Sequence, residues 1–374
     1  MRMKMFLTGK VRHSSGHKVL LLFAVGFFCV LVTKSQDDSV KHPVVQHEIK
    51  FNEPAVVIPG SAAVAFNEWT IPTHNSMAHD PLAAPDGSVW YTGFQTNQVG
   101  RLDPQTGEFK EYPLKTPDSK PHGLVADKEG NIWFTAEWAG YLGKLDPRTG
   151  EITEYHMPDP KALDPHTPLF DQKGNLWFTL QHSDMLGKMN TATGTIKLAT
   201  VPTPDARPYG MVVNSKGVPF FVEFNSNKLA SIDPETMEIR EYVLPNPGAR
   251  PRRIAITPDD VLWYTDYVRG YLGRFDPKTG KATEWPSPSG PKSQPYGIAA
   301  TGRSIWYSES GTDKATLVRF DTETLKFQSW VIPSSDGGIV RNMMPSKNGD
   351  LWLACSAPLG KGINLIVQAI VKKT

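Results

Sequence analysis

Seven side chains able to carry charge, move protons or direct hydrogen bonds recur along this sequence about 43 residues apart: His79, His122, His166, Tyr209, Arg252, Tyr296 and Arg341. A repeated position that served packing alone would settle on an apolar or small residue. An imidazole can act as a base near neutral pH, and a guanidinium offers a planar fork to a carbonyl or carboxylate. His166 and His122 are therefore the candidate catalytic bases. His79, Tyr209, Arg252, Tyr296 and Arg341 are the candidate substrate-binding groups. Taken singly, each has a plainer reading as a hydrogen-bonded group at the start of a strand; their common register is what singles them out.

A second set follows each repeat's aromatic strand: Glu137, Gln181, His182, Glu223, Asp266 and Glu309. Carboxylates beside imidazoles suit a hard cation, Mg²⁺ or Ca²⁺, bound through oxygen. Asp164 and Glu137 are the candidate metal ligands. The plainer alternative makes these carboxylates solvated loop charges or partners of Arg252 and Arg341. The densest constellation is Asp164-Pro165-His166-Thr167 with Gln181, His182 and Asp184, next to Lys120-Pro121-His122-Gly123 with Glu137. No H-E-x-x-H, G-x-S-x-G, G-x-G-x-x-G or C-x-x-C occurs, so zinc peptidase, serine hydrolase and dinucleotide readings lose their warrant.

The elements that must position these groups come from a repeat. The aromatic cores SVWYT, NIWFT, NLWFT, VPFFV, VLWYT, SIWYS and DLWLA mark seven units. Each unit carries a short apolar strand, a glycine turn, the aromatic strand, a polar loop, a third strand and a fourth. DPQTG, DPRTG and DPKTG set proline and glycine where a tight turn needs them. Four short antiparallel strands per period of about 43 residues is the signature of a β-propeller. The expectation is an all-β, seven-bladed propeller over residues 61–374. The last unit holds three strands, while AFNEWTIPT at 65–73 matches a fourth strand; an N-terminal strand should close the ring. Closure removes sheet edges, so the expected state is a monomer.

Residues 1–35 read as a signal peptide: basic Arg2, Lys4, Lys10, Arg12 and Lys18, then an apolar run from Val19 to Val32, then a polar exit with cleavage after Ser35. That run is shorter than the roughly 20 residues of a spanning helix; an uncleaved signal anchor is the alternative, and the only route to a membrane. Residues 36–60 read as a linker or arm. The protein is expected to be exported, periplasmic or extracellular. Of two cysteines, Cys29 falls in the apolar run without a lipoprotein box, which leaves Cys355 as a lone thiol. The net charge of +2, spread without basic runs, argues against a nucleic-acid partner.

The stretch KPHGLVADKEGNIWFTAEWAGYLGKLDPRTGEITEYHMP at 120–158 resembles the blades of the virginiamycin B lyase (streptogramin B lyase) family, and the likeness runs over about residues 65–374. That resemblance implies a lyase opening a cyclic depsipeptide ester by elimination, with a Mg²⁺-assisted histidine base in a final-blade E-P-H-G, a second Glu after that blade's aromatic strand, and another His starting the preceding blade. In this sequence those positions hold Ile339 and Arg341, then Cys355 and Ser356, and Tyr296. A match rotated around the ring exists in Asp164-Pro165-His166, with His122 on the preceding blade and Gln181 in place of the second Glu. Two functions follow: an exported Mg-dependent carbon–oxygen lyase acting on a cyclic ester, or a non-catalytic propeller binding a small acidic or sugar-like ligand or a peptide in its central funnel.

Overall fold

The computed structural model describes residues 62–358 and 362–373. The signal or anchor segment and the linker expected at 1–60 lie outside the described residues. Among the described residues there is no helix long and apolar enough to cross a membrane.

The described chain is all β: seven four-stranded antiparallel sheets, each one blade. The second strand of a blade is sandwiched between its neighbours, which is why it carries the large apolar residues. In Ile132–Ala136 every residue is buried. Trp133 stacks on Tyr155 of the outermost strand at 5.4 Å between ring centroids. The repeated glycine of the third strand has a steric origin: a Cβ at Gly143 would lie 2.0 Å from the Phe134 ring. Clusters of aromatic and aliphatic side chains fill the space between adjacent blades; one joins Trp133 and Leu142 of blade 2 to Leu176 and Phe178 of blade 3. The outer turns follow the D-P-x-T-G pattern, with Gly150 at φ 76° and its N–H donating to the Asp146 carbonyl at 2.8 Å.

The ring closes as the sequence leads one to expect. Ala62–Thr70 pairs antiparallel with Asn364–Lys373, in register from Ala62 opposite Lys373 to Thr70 opposite Leu365. Blade 7 is thus built from both ends of the described chain.

Three local features shape the axis. The residue before the inner strand is left-handed in five blades, Met77, Lys120, Asp164, Arg207 and Gln294 having φ between 48° and 59°. Each inner strand then has a register irregularity near its start, for example between Pro121 and Leu124 and between Pro165 and Pro168; bulges of this kind re-aim side chains. Finally, a hydroxyl of the aromatic strand donates to an inner-strand carbonyl of the next blade. Thr92 donates to His122 O at 2.6 Å, Thr135 to His166 O at 2.7 Å, Thr179 to Tyr209 O at 3.0 Å and Thr265 to Tyr296 O at 2.9 Å. The Thr of W-F-T is the side chain that pins the ring position.

Candidate functional site

The bulged inner strands bring the sequence-predicted ring together at the axis. Adjacent imidazoles are in close, tilted contact: His79 and His122 have centroids 3.7 Å apart with planes at 45°, and His122 and His166 3.6 Å apart at 39°. Tyr209 continues the series 4.1 Å from His166, and its hydroxyl lies 2.5 Å from that of Tyr296. Arg252 caps the tyrosines, its guanidinium carbon 3.8 Å from the Tyr296 centroid. Arg341 donates to Ser356 Oγ at 2.7 Å. All but Arg252 are buried. Above them stand half-buried Phe94, Phe224 and Tyr267 from the loops after the aromatic strands.

The sequence reading missed the position after the ring. It is glycine in blades 2, 4 and 6, where a neighbouring strand leaves no room: a Cβ at Gly210 would meet Arg253 Cα at 2.9 Å. Elsewhere it is Asp80, Thr167, Arg253 and Asn342. Arg253 of blade 5 crosses the axis to Asp80 of blade 1 at 3.0 Å and to Thr167 of blade 3 at 3.3 Å. Asn342 of blade 7 donates to the other Asp80 oxygen at 2.9 Å, and His79 Nδ1 lies 2.9 Å from Asp80. The signal was available as departures from P-H/Y-G at four blades, but register along a strand does not say which side chains meet across a ring.

Charge at this axis is dominated by arginine. Arg252, Arg253 and Arg341 lie around the ring, and among the described residues Asp80 pairs with Arg253 of the three. Burial is the main reason His79, His122 and His166 are held well below the usual imidazole range; nearby arginines add to it for all three, and neighbouring imidazoles for His122 and His166. All three rings are therefore uncharged at neutral pH. His122 Nδ1 is buried with no hydrogen-bond partner, as are Arg252 Nε and Arg253 Nε.

The proposed metal ligands sit apart from this network. Asp164 takes the His182 backbone N–H, His182 Nδ1 at 3.0 Å and Ser183 Oγ at 2.7 Å, so both its oxygens are engaged in capping a loop. Burial first, and then the Asp164 charge, push Glu137 up to about 8. Neither is hydrogen-bonded to a ring residue among the described residues. A second cluster, His79, Asp80 and His122, has ligand atoms within 4.8 Å of one another, but Asp80 is committed to Arg253, Asn342 and His79, and the surrounding guanidiniums repel a cation. Mg²⁺ demands near-octahedral oxygen ligands and Ca²⁺ more of them; neither cluster fits. The remaining carboxylates are neither solvated nor paired with Arg252 or Arg341. Glu223, Asp266 and Glu309 are fully buried and bind Ser226, Arg269, and Ser287 with Ser289 respectively. His182 is exposed on the loop and Gln181 partly so.

The profile of the virginiamycin B lyase family matches residues 57–300. The chain belongs to the virginiamycin B lyase family. Among solved structures, a streptogramin B lyase is 27% identical with a TM-score of 0.74, covering 83% of this chain and 98% of its own. Virginiamycin B lyase from Staphylococcus aureus, 24% identical, superposes with a TM-score of 0.72 over 82% of this chain and 99% of its own. Hydrazine synthase from Kuenenia stuttgartiensis, 14% identical with a TM-score of 0.62, shares the fold alone. No curated protein matches the sequence. In the last blade Arg341, at the position the resemblance gives to the base, donates to Ser356 Oγ.

Proposed function

We propose that this propeller is exported and binds a small molecule or cyclic peptide, carrying an ester carbonyl or a carboxylate, at the axial ring. The observation that carries this is the excess of guanidinium over carboxylate around three uncharged imidazoles. Three arginines at the ring, of which Arg253 is paired with Asp80, form an electropositive patch fixed by the scaffold, and fixed donors of this kind recognise carbonyl and carboxylate oxygens.

The uncharged imidazoles favour a second, catalytic reading that family membership supports: opening of a cyclic ester by elimination. His166 or His122 takes the proton α to a carbonyl. The electron pair forms a C=C bond, the β C–O bond breaks, and the acyl group leaves as a carboxylate. The arginines stabilise the oxyanion that develops, a role preorganised donors fill in a water-poor site, and no metal takes part.

A cyclic depsipeptide incubated with the protein in EDTA tests both readings by mass spectrometry. Elimination gives a ring-opened product of unchanged mass, which disappears in His166→Ala or His122→Ala. Binding without ring opening leaves the first reading standing and removes the second; absence of binding removes both.

A further inference from the structure

Arg252 lacks a counter-ion. Its guanidinium carbon lies 3.8 Å from the ring centroid of Tyr296, 4.2 Å from Tyr267, 4.7 Å from Phe224 and 5.2 Å from Tyr209. Among the described residues no carboxylate pairs with it, and its Nε is buried without a hydrogen-bond partner. The axial carboxylate nearest in kind, Asp80, is taken by Arg253. Among the described residues Arg341 also has no carboxylate partner and bonds the hydroxyl and carbonyl of Ser356. Aromatic faces attract a cation through their quadrupoles but do not neutralise it, and a charge removed from water without a partner is costly.

We propose that the Arg252 cage is a carboxylate site, taking an organic acid whose apolar body lies against Phe224 and Tyr267 and whose carboxylate meets the guanidinium fork. A planar fork matches a carboxylate in two parallel hydrogen bonds. The Tyr209–Tyr296 hydroxyl pair adds a donor: at 2.5 Å one hydroxyl donates to the other, and the second keeps its O–H for the ligand. Unlike the buried imidazoles, Arg252, Phe224 and Tyr267 are partly exposed, so the site can be reached. Apolar walls select a monoanion with a hydrophobic body over a strongly hydrated dianion such as phosphate. The inference rests on the reading of the axial ring as the ligand site, and it fixes the class of ligand.

The test is a thermal-unfolding and NMR titration of the full chain with benzoate, its neutral isostere benzamide, and inorganic phosphate, at constant ionic strength. Benzoate should bind saturably and raise the unfolding midpoint with the logarithm of its concentration, as a ligand of the native state does; benzamide should not. Arg252→Met should weaken benzoate at least tenfold, and Arg252→Lys, which keeps the charge and loses the fork, should weaken it less. If the methionine variant does not fold, the lysine variant decides, with unchanged affinity counting against the site. Equal binding of benzoate and benzamide, an unaffected Arg252→Met, or phosphate binding tighter than benzoate would overturn the proposal. Ring opening is scored by depsipeptide turnover and carboxylate binding by the benzoate titration, so loss of one and loss of the other are separate results.

Discussion

Asp80→Ala is the sharpest perturbation of the axis. In the native protein the Asp80 and Arg253 side chains are each 4% exposed and 3.0 Å apart, and Asp80 also accepts from Asn342 at 2.9 Å. Removing one partner of a buried pair leaves the other charge uncompensated, which costs about 3–5 kcal/mol. With an unfolding entropy of about 2.1 cal/mol/K per residue over roughly 310 described residues, each kcal/mol lowers the midpoint by about 1.5 °C. The expected shift is therefore about 5–8 °C, measured by calorimetry and checked by urea denaturation. Arg253→Met removes the stranded charge, so the double variant should lose less than the sum of the singles, with a coupling of about 2 kcal/mol or more. A loss under about 1 kcal/mol in Asp80→Ala, or strict additivity, would show that water reaches the pair and that the axis is not the closed electrostatic unit described above.

Glu137 should make stability depend on pH. Its folded-state value of about 8 lies above the ordinary 4.5, so the native state holds a proton that the unfolded state has lost. This contribution is fully present below about pH 4.5, falls by at most about 1.4 kcal/mol per pH unit as pH rises, and is gone above about pH 8. Glu137→Gln should remove that slope in denaturation curves taken across this window, and an unchanged slope would assign it to another group. Cys355, buried and pushed up to about 12 by that burial, should resist alkylation at pH 8 until the protein unfolds, as mapped by mass spectrometry; rapid native labelling would contradict its burial. A chain truncated through Thr70 should leave the Asn364–Lys373 edge unpaired and aggregate on refolding, whereas a cooperative monomer would show that six and three-quarter blades suffice.

The fold was legible because its determinants are local. A tryptophan that must fill the gap between blades, a glycine that must clear an aromatic ring, and a D-P-x-T-G turn recur wherever a blade is made. The ring was legible for the same reason: one position per unit, aimed by the same bulge. The Arg253–Asp80 contact was not, because its partners are 173 residues apart and belong to different repeats, so nothing in the period pairs blade 5 with blade 1. The post-aromatic carboxylates misled in the other direction. Glu309 and Asp266 have the sequence context of loop charges, yet each is buried with a partner, Ser287 and Ser289 from the preceding blade junction for one and Arg269, three residues on, for the other. Side-chain chemistry gave the candidates; only the meeting of non-equivalent blades showed that the axis is rich in arginine.

The closing strand has a consequence for how the protein is made. Asn67 and Gln368, side by side in blade 7, are separated by 301 residues. Synthesis is vectorial, so six blades can emerge from a ribosome while the first strand waits, its partner not yet polymerised. During that interval the nascent chain carries two naked edges, the situation in which β proteins pair with the wrong neighbour. Ring closure is a late event that gives blade 7 its fourth strand and covers the Asn364–Lys373 edge, leaving only the short outer edges that a propeller keeps, and a chaperone or a translocation channel that keeps the N-terminal strand apart until then would suppress mispairing without touching any blade.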